Sequence, residues 1–113
     1  MATYDAPLYE DAFHEMEEGR KTVYVVLASD EYAAISSGDR LEFGSFGSIM
    51  VGMVRRYASL EALTAAEGFH NLVPSAEAVE DAVASIRALD EWDAAIEQER
   101  GVIALRVREA RRK

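Results

Sequence analysis

The chain has 113 residues, half of them apolar, with two prolines and no cysteine; that suits one domain with one buried core and excludes a disordered chain, disulfides and thiolate metal sites. Its net charge is −9, and it is uneven: "RVREARRK" (106–113) carries +4, so the other 105 residues carry −13. A body this acidic repels a phosphate backbone at long range, which excludes a broad face for duplex nucleic acid and leaves room for a pocket holding one nucleoside or one looped-out base.

The first predicted element is a helix over 7–18, "PLYEDAFHEMEE". Pro7 suits a first turn, Leu8, Ala12 and Met16 recur at helical spacing with Tyr9 and Phe13 beside them, and Gly19 offers a left-handed stop. "KTVYVVL" (21–27) has the β-branched and aromatic composition of a strand. "SDEYAAI" (29–35) reads as a short helical turn capped by Ser29 or Asp30, and "SSGD" (36–39) as a turn. "RLEFG" (40–44) and "IMVGMVRRY" (49–57) read as strands joined through "SFGS", with Gly52 marking a bulge or a close backbone approach.

Ser59 caps a helix that ends at Gly68. "FHNLVP" (69–74) reads as irregular, and 75–92 as a longer helix with Val79, Val83 and Ile86 on its buried stripe. "DEWDAAIEQE" continues that helix or forms another, and 101–109 is a last strand. Beyond it the basic tail reads first as a solvated, frayed end and otherwise as a place for an acidic partner. No run approaches the ~18 apolar residues of a membrane span, and the N-terminal residues lack the pattern of a secretion signal. With no cysteine, the expectation is a cytoplasmic protein without membrane contact.

Lys21 and Lys113 are the two lysines, so Lys21 is the one within the folded body. It follows a helix stop and heads a strand. "GRKTVYVVL", "ISSGDRLEFG", "VRRYASLEALTAAEG" and "GVIALRV", in that order and spacing, resemble the ASCH domain of the PUA-like superfamily across about residues 10–108. The resemblance implies one α+β domain over 1–113: a small β-barrel with helices packed outside and a cleft beside the first long strand. It also implies binding of RNA or a modified nucleoside. One branch of the family resembles an amidohydrolase acting on N4-acetylcytidine, and other members act on RNA.

The family's corner reads G-x-K-x-x-E-x-R. Gly19 and Lys21 match it, while Tyr24 replaces the glutamate and Val26 the arginine. Losing both members of a partly buried ion pair avoids stranding one charge, which costs about 3–5 kcal/mol. Tyr24 and Val26 then repack the wall, or Tyr24 stacks on a base. The amidohydrolase branch pairs its lysine with a glutamate after the second helix. Asn71 aligns there, with Glu67 one turn earlier, and an asparagine is no general base.

The candidate ligand-binding residues are therefore Lys21, Tyr24, Tyr57, Glu67, His70 and Asn71. Lys21 is the one candidate for catalysis, kept charged if Glu42, Glu61 or Glu67 approaches and activated beside an apolar wall. His14 reads as structural, and Trp92 as an anchor of the last helix. Two scattered histidines give no metal site, and no cofactor is expected. Arg55 and Arg56 point to opposite faces, so one at most can serve a site. The reading is a binding module for a nucleoside or short single-stranded RNA, with a hydrolase using Lys21 as the alternative and a protein-interaction domain with a vestigial cleft as a third class.

Overall fold

The computed structural model describes residues 1–7 and 9–113. In chain order these form β1 (Thr3–Asp5), α1 (Glu10–Glu17), β2 (Val23–Leu27), β3 (Arg40–Phe43), β4 (Gly47–Tyr57), α2 (Leu60–Glu67), α3 (Phe69–Leu72), α4 (Val79–Arg87), α5 (Ala94–Arg100) and β5 (Val102–Arg112). The strands make one sheet in the order β1-β3-β4-β5-β2, antiparallel except where β1 runs parallel to β3. The sheet curls into a half-barrel, leaving β1 and β2 as its two edges.

Alternation along the strands divides the core in two. Tyr24 and Val26 of β2 face the concave side with Phe43, Val51 and Leu105, and α1 closes that side with Phe13 and Met16. The Phe43 ring stands edge-on to Tyr24, with centroids 5.2 Å apart, and 5.7 Å from Phe13. Val23 and Leu27 face the convex side, where Leu63 of α2, Leu72 of α3 and Ile86 of α4 cover them. Both faces of β2 are thus covered, which is why its sequence is apolar without interruption. Each large side chain buried in this way contributes about 1.5–3 kcal/mol.

Several sequence expectations hold. Gly19 adopts φ +81° and stops α1. Ser59 caps α2, its hydroxyl accepting from the Ala62 amide at 3.1 Å. Gly52 lies in an irregularity of the β4–β5 ladder, where Val51 pairs with Val107 and the next pair is Val54 with Leu105.

Other expectations are corrected. α1 begins at Glu10 rather than residue 7, and Leu8 of the proposed stripe lies outside the described residues. Residues 30–34 make hydrogen-bonded turns in place of the short helical turn, and among the described residues neither the Ser29 nor the Asp30 side chain caps them. Within 69–74 there is a short helix, because Gly68 at φ +91° restarts the chain after α2. The long helix proposed over 75–92 is shorter, Val79–Arg87, and α5 is separate, with the Asp93 carboxylate accepting from the Ala95 and Ile96 amides. β1 was not visible in the sequence. The basic tail is not frayed: β5 continues to Arg112, which pairs with Gly47 and whose guanidinium binds Glu17 at 2.8 Å and 3.0 Å.

Candidate functional site

The corner after α1 places Lys21. The amides of Arg20 and Lys21 both donate to the Glu15 carbonyl at 3.0 Å, so the chain doubles back and the lysine side chain turns inward. Lys21 is 8% exposed. Its amine donates to the Leu72 carbonyl of α3 and lies 5.6 Å from the centre of the Tyr24 ring. Burial draws the amine down to about pKa 8 against a smaller opposing pull from Glu15.

Lys21 and Tyr24 line a cleft of about 240 Å³ with Tyr9, Asp11 and Glu15 from the α1 side and Leu72 from α3. Two acids, Asp11 and Glu15, share the cleft with the amine, and it is the charge of Glu15 that bears on it. The expected partners Glu42, Glu61 and Glu67 do not line it. A second cleft, about 440 Å³, opens between the ends of β1 and β2. Tyr24, Val25 and Leu89 belong to both, and between them the Tyr9 hydroxyl donates to Glu91. That bond raises the Tyr9 phenol to about pKa 12.

The outer edge of β2, unpaired among the described residues, runs along this double groove. In the β2–β5 ladder the Thr22 carbonyl accepts from Val107 and the Ala28 amide donates to Gly101. Pairing alternates along an antiparallel strand, so even-numbered residues direct their backbone groups to β5 and Val25 directs its amide and carbonyl outward. A donor and an acceptor thus stand side by side in the groove wall.

The six residues proposed from sequence divide into two places. Lys21 and Tyr24 share the groove. Tyr24 is a core residue on one side and a groove wall on the other, and burial raises its phenol well above the ordinary value. Tyr57 and Glu67 lie elsewhere, on the convex face of β4 and β5. The Tyr57 hydroxyl donates to Glu67, and Arg55 stands 3.7 Å from the same carboxylate. Asn71 ties α3 in place: its side chain donates to the Glu67 carbonyl at 2.8 Å and its own carbonyl accepts from Thr22 at 3.0 Å. His70 is exposed, with its ring 4.1 Å from that of Phe69. None of these four lines either half of the groove.

His14 is a surface residue whose Nδ1 lies 2.7 Å from Arg112 Nη2. Arg55 and Arg56 take different partners, Glu67 and the Ala33 carbonyl. Trp92 holds Glu97 through its indole N–H at 3.1 Å and also forms part of the larger cleft. The groove residues that sequence reasoning missed are Glu15, Tyr32 and Glu91. Among the described residues, no group of three or more histidines and acids is placed to hold a metal, and no helix is long and apolar enough to cross a membrane.

The chain matches no protein-family model and no curated protein sequence. Two solved structures resemble it over nearly the whole length. The crystal structure of hypothetical protein PH0355 is 25% identical with a TM-score of 0.85, the likeness covering 98% of this chain and all of that one. The solution structure of protein PF0455 from Pyrococcus furiosus is 23% identical with a TM-score of 0.76, covering 96% of each. The likenesses support the fold: this chain has the architecture of these small α+β proteins, built on a curled sheet.

Proposed function

We propose that the chain is an ASCH-type, PUA-like binding module that holds a nucleoside or a short single-stranded RNA segment in the groove along β2. The observation that carries this reading is the outer backbone edge at Val25, without a hydrogen-bond partner among the described residues, in the cleft that Lys21 and Tyr24 also line. A nucleobase presents adjacent donors and acceptors and a flat apolar face. A strand edge and an aromatic wall match both, and single-stranded nucleic acid is read in this way. Lys21 adds one positive group for a phosphate or carbonyl oxygen.

The test is a thermal-shift screen of nucleosides and short oligonucleotides. A ligand held by the native state raises the unfolding midpoint, and the rise is expected to shrink in Lys21→Met. Bulk RNA at physiological salt is expected to bind weakly, because the acidic body opposes it; tight binding that falls steeply with salt in a filter assay would refute this. The exposed Arg106, Arg108 and Arg111 on β5 are the place for an acidic partner.

A second reading is favoured by the sharing of one cleft by Lys21 and Glu15. A lysine drawn down by burial is a usable base or nucleophile near neutral pH, which fits hydrolysis of an acylated nucleobase. N4-acetylcytidine turnover that disappears in Lys21→Ala would establish it. Binding ranks above catalysis because the Lys21 amine is engaged by the Leu72 carbonyl and Asn71 supplies no carboxylate.

A further inference from the structure

We infer that the larger cleft, between the edges of β1 and β2, is a receptor for the positively charged head of a small organic cation, with aromatic walls from Tyr24, Tyr32 and Trp92 and carboxylates from Asp5, Glu31 and Glu91. This deepens the proposed nucleoside reading by assigning the base a charge, but it stands on different residues from Lys21.

Three observations meet in this cleft. Its ionisable side chains include three acids and no lysine or arginine. Among the described residues, none of the three acids has an ion-pair partner; Glu91 is engaged only by the neutral Tyr9 phenol. Some acids elsewhere on the surface find arginines, as Asp30 does with Arg100 and Glu61 with Arg87; what marks this cleft is that three unpaired acids line it together. An anion or a phosphate entering here would meet uncompensated negative charge, whereas a cation would supply what is missing.

The second observation is the rings. Tyr32 is held by its hydroxyl donating to the Asp5 carbonyl at 2.7 Å, and Trp92 by its N–H on Glu97. With the polar atoms occupied in this way, the aromatic bodies remain as apolar walls. Ring faces attract a soft cation more than a neutral body of the same shape. The volume, about 440 Å³, lies in the range of small-molecule sites.

The third observation is Tyr24 itself. It is 7% exposed, yet its hydroxyl has no hydrogen-bond partner among the described residues. The groups whose charge bears on that phenol are Tyr32, Glu91 and Tyr9, all at the groove. No buried side-chain polar atom is left without a partner among the described residues, so this oxygen is reached by solvent, and Tyr24 lines the cleft; the oxygen can accept from an N–H of a ligand there. The opposite end of the groove carries Lys21, so a ligand that is positive at its base and negative at a phosphate would match both ends.

The experiment is calorimetric titration of the full chain with two matched pairs. One pair is 1-methyladenosine, a cation at pH 7, against its neutral isomer N6-methyladenosine. The other is choline against its neutral carbon isostere 3,3-dimethylbutan-1-ol. The expected result is that the cation of at least one pair binds about tenfold more tightly than its neutral partner. That preference should fall below about threefold in the double variant Glu31→Gln, Glu91→Gln. Both positions are exposed, so the variant should keep the wild-type circular dichroism. A preference in the first pair alone identifies a cationic heterocycle, and one in the second identifies an ammonium head. Equal affinities within both pairs, no binding of either cation, or a preference that survives the double substitution would overturn the inference. Cytidine in the same titration separates the two readings. Cytidine binding without any preference for cations refutes the cation receptor and leaves the nucleoside groove standing. Choline binding while every nucleoside fails supports the receptor and removes the nucleoside.

Discussion

Three charged side chains are buried among the described residues, Glu97, Asp39 and Lys21, and the first and last are treated in opposite ways. Glu97, 6% exposed, receives Arg87 through Nε at 3.1 Å and Nη2 at 2.6 Å, the Leu60 amide at 3.0 Å and the Trp92 indole at 3.1 Å. Arg87 is completed by a bidentate contact with Glu61. Lys21 is buried to a similar degree, but its amine has one carbonyl and no paired carboxylate. The first group joins α2, α4 and α5 and depresses the Glu97 carboxyl to about pKa 2. The second keeps unused bonding capacity at a groove. A charge whose hydrogen bonds are all met serves the fold, whereas one left short costs stability and is kept for what it does.

Opposite signs of mutational effect would sharpen this contrast, and like signs would break it. The largest effect is expected for Glu97→Ala, which strands Arg87 and frees the Leu60 amide; a loss of about 3 kcal/mol should appear in urea unfolding. The wild-type pH profile should carry the same signature. The folded carboxyl lies below its ordinary 4.5, so its contribution is present above pH 4.5 and is lost as pH falls towards 2. That acid limb should flatten in the variant.

Lys21→Met is next and should go the other way, gaining about 1–3 kcal/mol at pH 7, because an ammonium held in a dry place is replaced by an apolar chain of similar length. Its folded pKa of about 8 is below the ordinary 10.5. Between those values the unfolded chain binds more protons, so wild-type stability should rise with pH there. The rise should vanish in Lys21→Met. A destabilised Lys21→Met would mean that the lysine is structural after all.

Trp92→Phe should cost about 1 kcal/mol by removing one of the bonds on Glu97. Smallest of all is Glu67→Gln on the convex face. Its pairing with the exposed Arg55 is of the kind worth under about 1 kcal/mol, so unfolding should shift little and groove binding not at all. A Glu67→Gln that abolished ligand binding would reunite the two places that the fold separates.

What could be read in advance follows how locally each feature is encoded. β2, the Ser59 cap and the Gly52 irregularity depend on a few adjacent residues and were legible. So was Lys21, set off by Gly19 and by the absence of other lysines nearby. β1 was not, because "TYD" has no period and its parallel partner lies more than thirty residues away. The strand period placed Tyr24 and Val26 on one face, but the inside of the curl is decided only when α1 packs there. Tyr57 and Glu67 stand apart from the Lys21 cleft for a related reason, whereas Asn71 is next to it, its carbonyl accepting from Thr22. Adjacency along α2 and α3 does not tell which side of the sheet a carboxylate reaches. Glu15, Tyr32 and Glu91 gather from three distant segments, and no spacing rule links them.

The pairing of β2 with β5 has a consequence for biosynthesis. Val23 stands opposite Arg106, so a strand apolar on both sides emerges from the ribosome about eighty residues before its neighbour exists. At about 5–20 residues per second that interval lasts several seconds. During it, the nascent segment must be shielded by α1 or by a chaperone.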